Sequence, residues 1–243
     1  MKQRPYAVFD IDGTLIRWQL YHAMADTLVK LKAIDPGEYK EVLSARMNWK
    51  NRDSSNSFID YEKALIRLIE KSLPSINHAT FHEACNNVVE RYRGQVYAYT
   101  RELIKKLKQQ DYLLFAISAS PEELVGEIAK YYGFDDYVGT AYRFENNHYK
   151  EHGPTILASA KPKRLAELVK KHHAARKDSV AVGDSAGDIG MLEYAQKAIA
   201  FNPSRELFDY AAERHWQIVI ERKNMIYKLR HENGQYVLKT AGE

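Results

Sequence analysis

The stretch Val8-Phe9-Asp10-Ile11-Asp12-Gly13-Thr14-Leu15 decides how this chain is read. Tyr6-Ala7-Val8-Phe9, which leads into it, is a short apolar, aromatic-rich run. That composition suits a strand buried on both faces of a parallel sheet. The run stops at two carboxylates spaced i, i+2, and Gly13 then permits a tight turn. In extended backbone, side chains at i and i+2 point the same way. Asp10 and Asp12 are therefore expected to project together from a strand's carboxyl end, where open α/β sheets bind ligands. Two carboxylates that close repel each other, and protonation of one or a bound cation relieves the repulsion. An Asp-rich turn without chemistry is the plain alternative, and two later stretches weigh against it.

Outward from this stretch, the bulk numbers set bounds. The length of 243 residues fits one large domain, or one domain with an inserted module. Hydrophobic residues at 45% and charged residues at 28% are ordinary for a globular protein. A net charge of +4 lacks the basic bias of a dedicated nucleic-acid binder, so no nucleic-acid partner is expected. Cys85 is the single cysteine, which rules out an internal disulfide and fits a reducing, cytoplasmic setting. No apolar leader precedes the first strand, and no uninterrupted apolar run is long enough to span a bilayer.

After Leu15 the pattern turns helical. Trp18, Leu20, Tyr21, Met24, Leu28 and Leu31 recur at helical spacing, and Asp35-Pro36-Gly37 breaks that helix. Further helices are predicted over Glu38 to Trp49, Phe58 to Leu73 and Ala79 to Tyr92, with a polar loop at Asp53-Ser54-Ser55-Asn56-Ser57. With no strand signal between them, residues 16–93 read as an all-helical module. The α/β pattern then returns. Strands are predicted at Tyr112 to Ile117, Val180 to Val182, Ala198 to Phe201 and Trp216 to Ile220, with helices between them. Tyr137 to Arg143 and His148 to Lys150 are expected to pair across Glu145-Asn146-Asn147, and Asn233-Gly234 marks a second hairpin near the carboxyl end. This order predicts an α/β, doubly wound parallel sheet over 1–15 and 94–243, with the helical module 16–93 as a cap inserted into it.

Three of the apolar strands end in residues suited to chemistry: Asp10 and Asp12, then Ser118, then Asp184 and Asp188. Lys161 opens the helix leading into the third of them. Four acids, a hydroxyl and an ammonium form oxygen ligands for Mg2+ and a donor set for an anion. A phosphoryl group suits that mixture, because its transfer depends on positioning and on neutralising oxygen charge. A carboxylate also serves as a phosphoryl-accepting nucleophile.

Asp10-Ile11-Asp12-Gly13-Thr14-Leu15 resembles the first signature of the haloacid dehalogenase superfamily of phosphotransferases. Ser118, Lys161 and Gly183-Asp184-Ser185-Ala186-Gly187-Asp188 resemble its second, third and fourth, in the family's order. A helical insertion between the first two is the cap arrangement of the subclass that includes phosphoserine phosphatases. The resemblance implies a Mg2+-dependent phosphomonoesterase acting on a small soluble metabolite. It implies that Asp10 attacks phosphorus and becomes an aspartyl-phosphate, and that Asp12 is the general acid and base. It implies that Ser118 and Lys161 hold phosphate oxygens. It implies that Asp10, the Asp12 carbonyl and Asp184 bind Mg2+ with Asp188 in support. A phosphotransferase or mutase using the same aspartate stays open as a second reading. A phospho-accepting signalling module is a third, against which the helical insertion and Asp12 both speak.

Substrate selection falls to the cap. Trp18 sits on the hinge between core and cap, and Arg46, Lys50 and Arg52 are candidate contacts for an anionic substrate. Phosphoserine is not expected to be the preferred substrate. Relatives with this cap hold the substrate ammonium with a glutamate at the position that is Gln19 here. Glutamine accepts a hydrogen bond but carries no charge. Their carboxylate-binding arginine aligns with Leu68, and Arg67, one residue away, points about 100° around the helix. Ser120 reads as a helix N-cap, and His172-His173 as surface residues.

Overall fold

The computed structural model describes residues 3–54, 56–153, 156, 158–232 and 234–238. Strand β1 (Pro5–Phe9) is the apolar run of the opening stretch, and Tyr6 to Phe9 are fully buried. Four helices follow: α1 (Leu20–Lys30), α2 (Tyr39–Asn51), α3 (Ser57–Ser72) and α4 (His78–Tyr92). Helix α5 (Ala98–Gln109) then leads to β2 (Leu113–Pro121), α6 (Glu122–Tyr132), β3 (Asp136–Thr140), β4 (Tyr142–Glu145) and β5 (His148–His152). The rest runs α7 (Lys161–Lys171), β6 (Ala175–Gly183), α8 (Ile189–Tyr194), β7 (Lys197–Phe201), α9 (Arg205–Glu213), β8 (Gln217–Arg222), β9 (Met225–Glu232) and β10 (Gln235–Leu238).

Among the described residues the main sheet has the order β10-β9-β8-β7-β6-β1-β2-β3. Strands β3 through β8 across this order run parallel, while β9 and β10 are antiparallel additions at one edge. The fold is the predicted α/β, doubly wound parallel sheet. Apolar residues fill both of its faces, one cluster also drawing in the four inserted helices and the other lying under α7, α8 and α9. Burying an apolar side chain of this size contributes roughly 1.5–3 kcal/mol. Short, wholly apolar strands between amphipathic helices therefore settle this architecture.

The order places β1 between β2 and β6, so Asp10 and Asp184, which follow β1 and β6, and Ser118, in the carboxyl-terminal half of β2, fall on three neighbouring strands. The chain passes between the sheet and the inserted helices at two adjacent segments. Arg17 N–H donates to the Gln95 carbonyl at 2.8 Å, and Tyr97 N–H to the Leu15 carbonyl at 3.1 Å.

Several elements differ from their predicted extents. Tyr137 to Arg143 does not act as one hairpin arm: Asp136–Thr140 joins the main sheet beside β2, and only β4 pairs with β5. Asn146 and Asn147 reverse that hairpin at φ 51° and 67°, a backbone region asparagine tolerates well. Its turn is anchored on α4, where His78 N–H donates to the Asn147 carbonyl at 3.0 Å. Ser55 of the predicted polar loop and Asn233 of the predicted terminal turn lie outside the described residues. No helix among the described residues is long and apolar enough to cross a membrane.

Inside the helical layer, His22 is 2% exposed and surrounded by the rings of Tyr61, Phe58 and Trp49. Its Nδ1 has no hydrogen-bond partner. Burial and the nearby Arg46 charge lower its pKa to about 3, with Asp26 opposing. The unfolded chain takes up this proton below its ordinary value of 6.5, and the folded chain does so only near pH 3. Stability contributed above pH 6.5 is thus lost as the pH falls towards 3. The slope for one such group is about 1.4 kcal/mol per pH unit. His22→Gln is expected to flatten the acid limb of the stability curve by up to about that slope. Urea midpoints of both proteins at pH 7, 6, 5 and 4 check this, and parallel acid limbs refute it.

Candidate active site

Asp10 is the residue after β1, and its N–H donates to the Val182 carbonyl of β6 at 3.0 Å, which fixes its direction. The residue is 4% exposed, and its carboxylate accepts from Lys161 Nζ at 2.7 Å. Lys161 also donates to Asp188 Oδ1 at 2.6 Å and is itself 5% exposed. Burial pushes Asp10 up to about 7, against the pull of Lys161 and with the added charges of Asp188 and Asp12. Burial opposes the Lys161 charge, yet the two carboxylates outweigh it and raise its pKa.

Asp12 lies on the turn that Gly13 makes possible. Gly13 adopts φ +80°, and a Cβ there would stand 2.2 Å from Asp184 Oδ2. Only glycine allows the first loop to lie this close to the Asp184 carboxylate. Asp12 Oδ1 accepts from Leu20 N–H at 2.5 Å, at the start of α1, and Oδ2 accepts from Ser118 Oγ at 2.6 Å. Burial raises its pKa, with Ser118, Leu20 and Ser120 hydrogen bonds opposing.

The carboxylate oxygens of Asp10, Asp184 and Asp188 offer one ligand atom each within 4.8 Å of one another. Asp184 is held well above the ordinary carboxylate range, first by burial and then by the charges of Asp10 and Asp188. Carboxylates this close, two buried and one half-buried in an all-oxygen set, suit one partner in particular, a hard divalent cation. The residues therefore fit Mg2+. Asp188 is saturated by protein donors. Its Oδ2 accepts from Asp184 N–H at 3.2 Å, Ser185 N–H at 3.1 Å and Ser185 Oγ at 3.1 Å, and its Oδ1 accepts from Lys161. It fastens the fourth signature to Lys161.

The structure brings Asp10, Asp12, Ser118, Lys161, Asp184 and Asp188 to one place. Arg46, expected as a candidate contact for an anionic substrate, is engaged within the helices. That guanidinium points into the helical layer and is only 12% exposed. It donates to Tyr61 Oη at 2.9 Å, to both Asp26 oxygens at 3.2 and 2.9 Å, and to Tyr39 Oη at 2.6 Å. Four of its five N–H groups are engaged, so it ties α1, α2 and α3 together as a strut of the helical layer. Gln19 precedes α1, half-buried, with no capping bond from its side chain. Trp18 is half-buried, and its Nε1 is buried without a partner. Leu68 is buried and Arg67 exposed, as the helix phase predicts.

Two expectations are corrected. Ser120 is not a helix cap, because β2 continues through Pro121 before α6 begins. It is buried, and its N–H donates to Ser118 Oγ at 3.0 Å. His172 is half-buried, with Nε2 2.6 Å from Asp136 Oδ2. Sequence reasoning also missed Glu62 on α3. It is half-buried, and the charges of Asp12 and Lys161 both act on it. The available signal was an acid at i+4 from Phe58 and i−4 from Ile66, interrupting an apolar row.

A doubly wound sheet whose strand ends carry this acidic cluster, a hydroxyl and a buried lysine is matched by the haloacid dehalogenase-like hydrolase family over residues 7–193. The chain belongs to that family. It is 26% identical over 215 residues to the phosphoserine phosphatase of Archaeoglobus fulgidus, an alignment covering 86% of this chain and 58% of that protein. It is 22% identical over 223 residues to the histidinol-phosphatase of Neisseria meningitidis serogroup C, covering 88% of this chain and 97% of that one. Its fold is like that of a solved phospho-aspartyl intermediate analogue of phosphoserine phosphatase, with a TM-score of 0.63 at 22% identity. That match covers 91% of this chain and 95% of the other.

Proposed function

We propose that this protein is a Mg2+-dependent phosphomonoesterase acting on a small phosphorylated metabolite through an aspartyl-phosphate on Asp10. The observation that carries the reading is the carboxylate pair at the end of β1, with one member bonded to Lys161 and the other to Ser118. The pair separates a nucleophile from a proton carrier. The residue roles that follow, and the division into core 1–15 and 94–243 with cap 16–93, belong to this reading.

An Asp10 carboxylate oxygen attacks phosphorus, and the bond from phosphorus to the ester oxygen breaks. Asp12 gives its proton to that leaving oxygen, so an alcohol departs. Burial raises the Asp12 pKa, which favours holding that proton. Water then attacks phosphorus and Asp12 takes a proton from it. The bond from Asp10 to phosphorus breaks, and inorganic phosphate and free Asp10 are restored. Lys161 and the Ser118 hydroxyl orient phosphate oxygens throughout. Asp10, Asp184 and the Asp12 carbonyl would hold Mg2+, with Asp188 fixing the loop. The ion supplies charge neutralisation for the transferring group.

Asp12→Ala is expected to slow esters with poor leaving groups far more than p-nitrophenyl phosphate, whose leaving group needs little protonation. Rates of phosphate release on both ester types measure this, and equal losses would limit Asp12 to positioning. Phosphate release into water with no acceptor alcohol present distinguishes hydrolysis from phosphotransfer, and release only when an acceptor is added would sink the phosphatase reading.

A further inference from the structure

The position of Glu62 has no role in the chemistry above. Asp12 Oδ1 accepts from Leu20 N–H at the first turn of α1. Two residues on, His22 packs on Tyr61 with ring centroids 4.5 Å apart and on Phe58 at 6.2 Å. Tyr61 and Phe58 belong to α3, and Glu62 is the next residue after Tyr61 and one turn on from Phe58. Phe58, Glu62 and Ile66 form a half-buried row along α3. Through these contacts α3 is seated next to the Asp12 loop, and the charges of Asp12 and Lys161 both reach Glu62.

Glu62 has no hydrogen-bond or ion-pair partner among the described residues. A half-buried carboxylate without a partner is costly unless something supplies one. Arg46, on the neighbouring α2, is engaged by Asp26, Tyr39 and Tyr61 and meets α3 at Tyr61, so it does not pair with Glu62.

We propose that Glu62 is the specificity-determining residue of this site and receives the cationic end of the leaving alcohol. The preferred substrate is then a phosphomonoester of an amino alcohol that bears an ammonium and no carboxylate. This rests on the phosphomonoesterase reading. With the phosphoryl group on Lys161 and Ser118, the ester oxygen must face Asp12, so the leaving alcohol extends past Asp12. Glu62 lies within reach of the Asp12 charge, on the helix that packs against α1 through Tyr61 and Phe58, and is the acid available to meet that alcohol. Its charge attracts an ammonium and repels a carboxylate. The missing charge at Gln19 is thereby replaced from a different element, while buried Leu68 is apolar where relatives place the arginine, and Arg46 is already engaged by Asp26. Phosphoserine meets an attraction and a repulsion together.

The test compares three esters on the whole enzyme with Mg2+: O-phosphoethanolamine, its neutral counterpart 2-hydroxyethyl phosphate, and phosphoserine. In the native protein kcat/KM is expected to be at least tenfold higher for phosphoethanolamine than for either other ester. Glu62→Gln, nearly isosteric, should reduce the ratio of phosphoethanolamine to 2-hydroxyethyl phosphate at least threefold, and Glu62→Lys should invert it. Glu62→Asp should keep a ratio above one. A native ratio below tenfold, or a Gln variant whose ratio falls less than threefold, overturns the role of Glu62. That outcome leaves the phosphatase reading intact as long as any ester is hydrolysed. Hydrolysis of no ester, p-nitrophenyl phosphate included, overturns both. The native ratio needs no variant to fold, so the proposal stays open to refutation even if every substitution unfolds the cap.

Discussion

Replacing Asp10 by asparagine is expected to reduce phosphate release by about 10⁴-fold or more, with cooperative unfolding retained. The carboxamide keeps the shape and still accepts from Lys161, which lies 2.7 Å from Asp10 Oδ1. It has no anionic oxygen to bond phosphorus, so the covalent step is lost while the packing around it survives. The variant also removes one of the three clustered carboxylates, so its demand for a cation should weaken. Chelation by EDTA should abolish the native activity, and added Mg2+ should restore it. Phosphate-release rates, read beside urea unfolding, decide the matter. Full activity in the variant, or indifference of the native enzyme to chelation, would remove Asp10 from the chemistry.

Lys161→Met is expected to cost about 3–5 kcal/mol of stability, the usual consequence of removing one partner from a buried ion pair. Lys161 lies within 2.7 Å of Asp10 and 2.6 Å of Asp188, and all three side chains are nearly inaccessible. The methionine fills much of the volume and neutralises nothing. Asp10 and Asp188 are then left facing each other and Asp184. Because Mg2+ offers the missing positive charge, the loss should shrink when the variant is unfolded in millimolar Mg2+ instead of EDTA. Urea midpoints under the two conditions measure this. A variant as stable as the native chain in EDTA would show that Lys161 does not hold the cluster together.

The parts of the site that were legible in the sequence are those fixed by strand ends. A buried parallel strand is a short apolar run, and its first polar residue must leave the sheet at its edge. Asp10 and Asp184 were located for that reason, and Ser118 because it is the first polar residue after the apolar run of β2, although the strand continues to Pro121. Helix-borne residues follow a different logic. Periodicity gives the phase of a helix against its own core, but not which other element that core is. Arg46 read as a surface cation because its partners are far apart in sequence: Asp26 on α1, Tyr39 at the start of α2 and Tyr61 on α3. Glu62 read as one more charge on an amphipathic helix, although it is half-buried and the charges of Asp12 and Lys161 act on it. Ser120 was misread because a serine before proline and glutamate looks like a helix start, whereas pairing between Pro121 and Thr140 extends β2 past it.

The central place of β1 also sets an order in time. Val8 has neighbours on both sides, Phe115 and Ala181, and neither exists when the ribosome has finished β1. At about 5–20 residues per second, the first partner is roughly 100 residues and 5–20 s away, and the second roughly 170 residues and 9–35 s away. For that interval Tyr6-Ala7-Val8-Phe9, fully buried in the finished protein, is an apolar strand with both edges open. The segment carrying the candidate nucleophile is thus made well before either of the strands that enclose it. Chaperone depletion or a slowed ribosome should for this reason harm the yield of this chain more than that of one whose central strand is synthesised late.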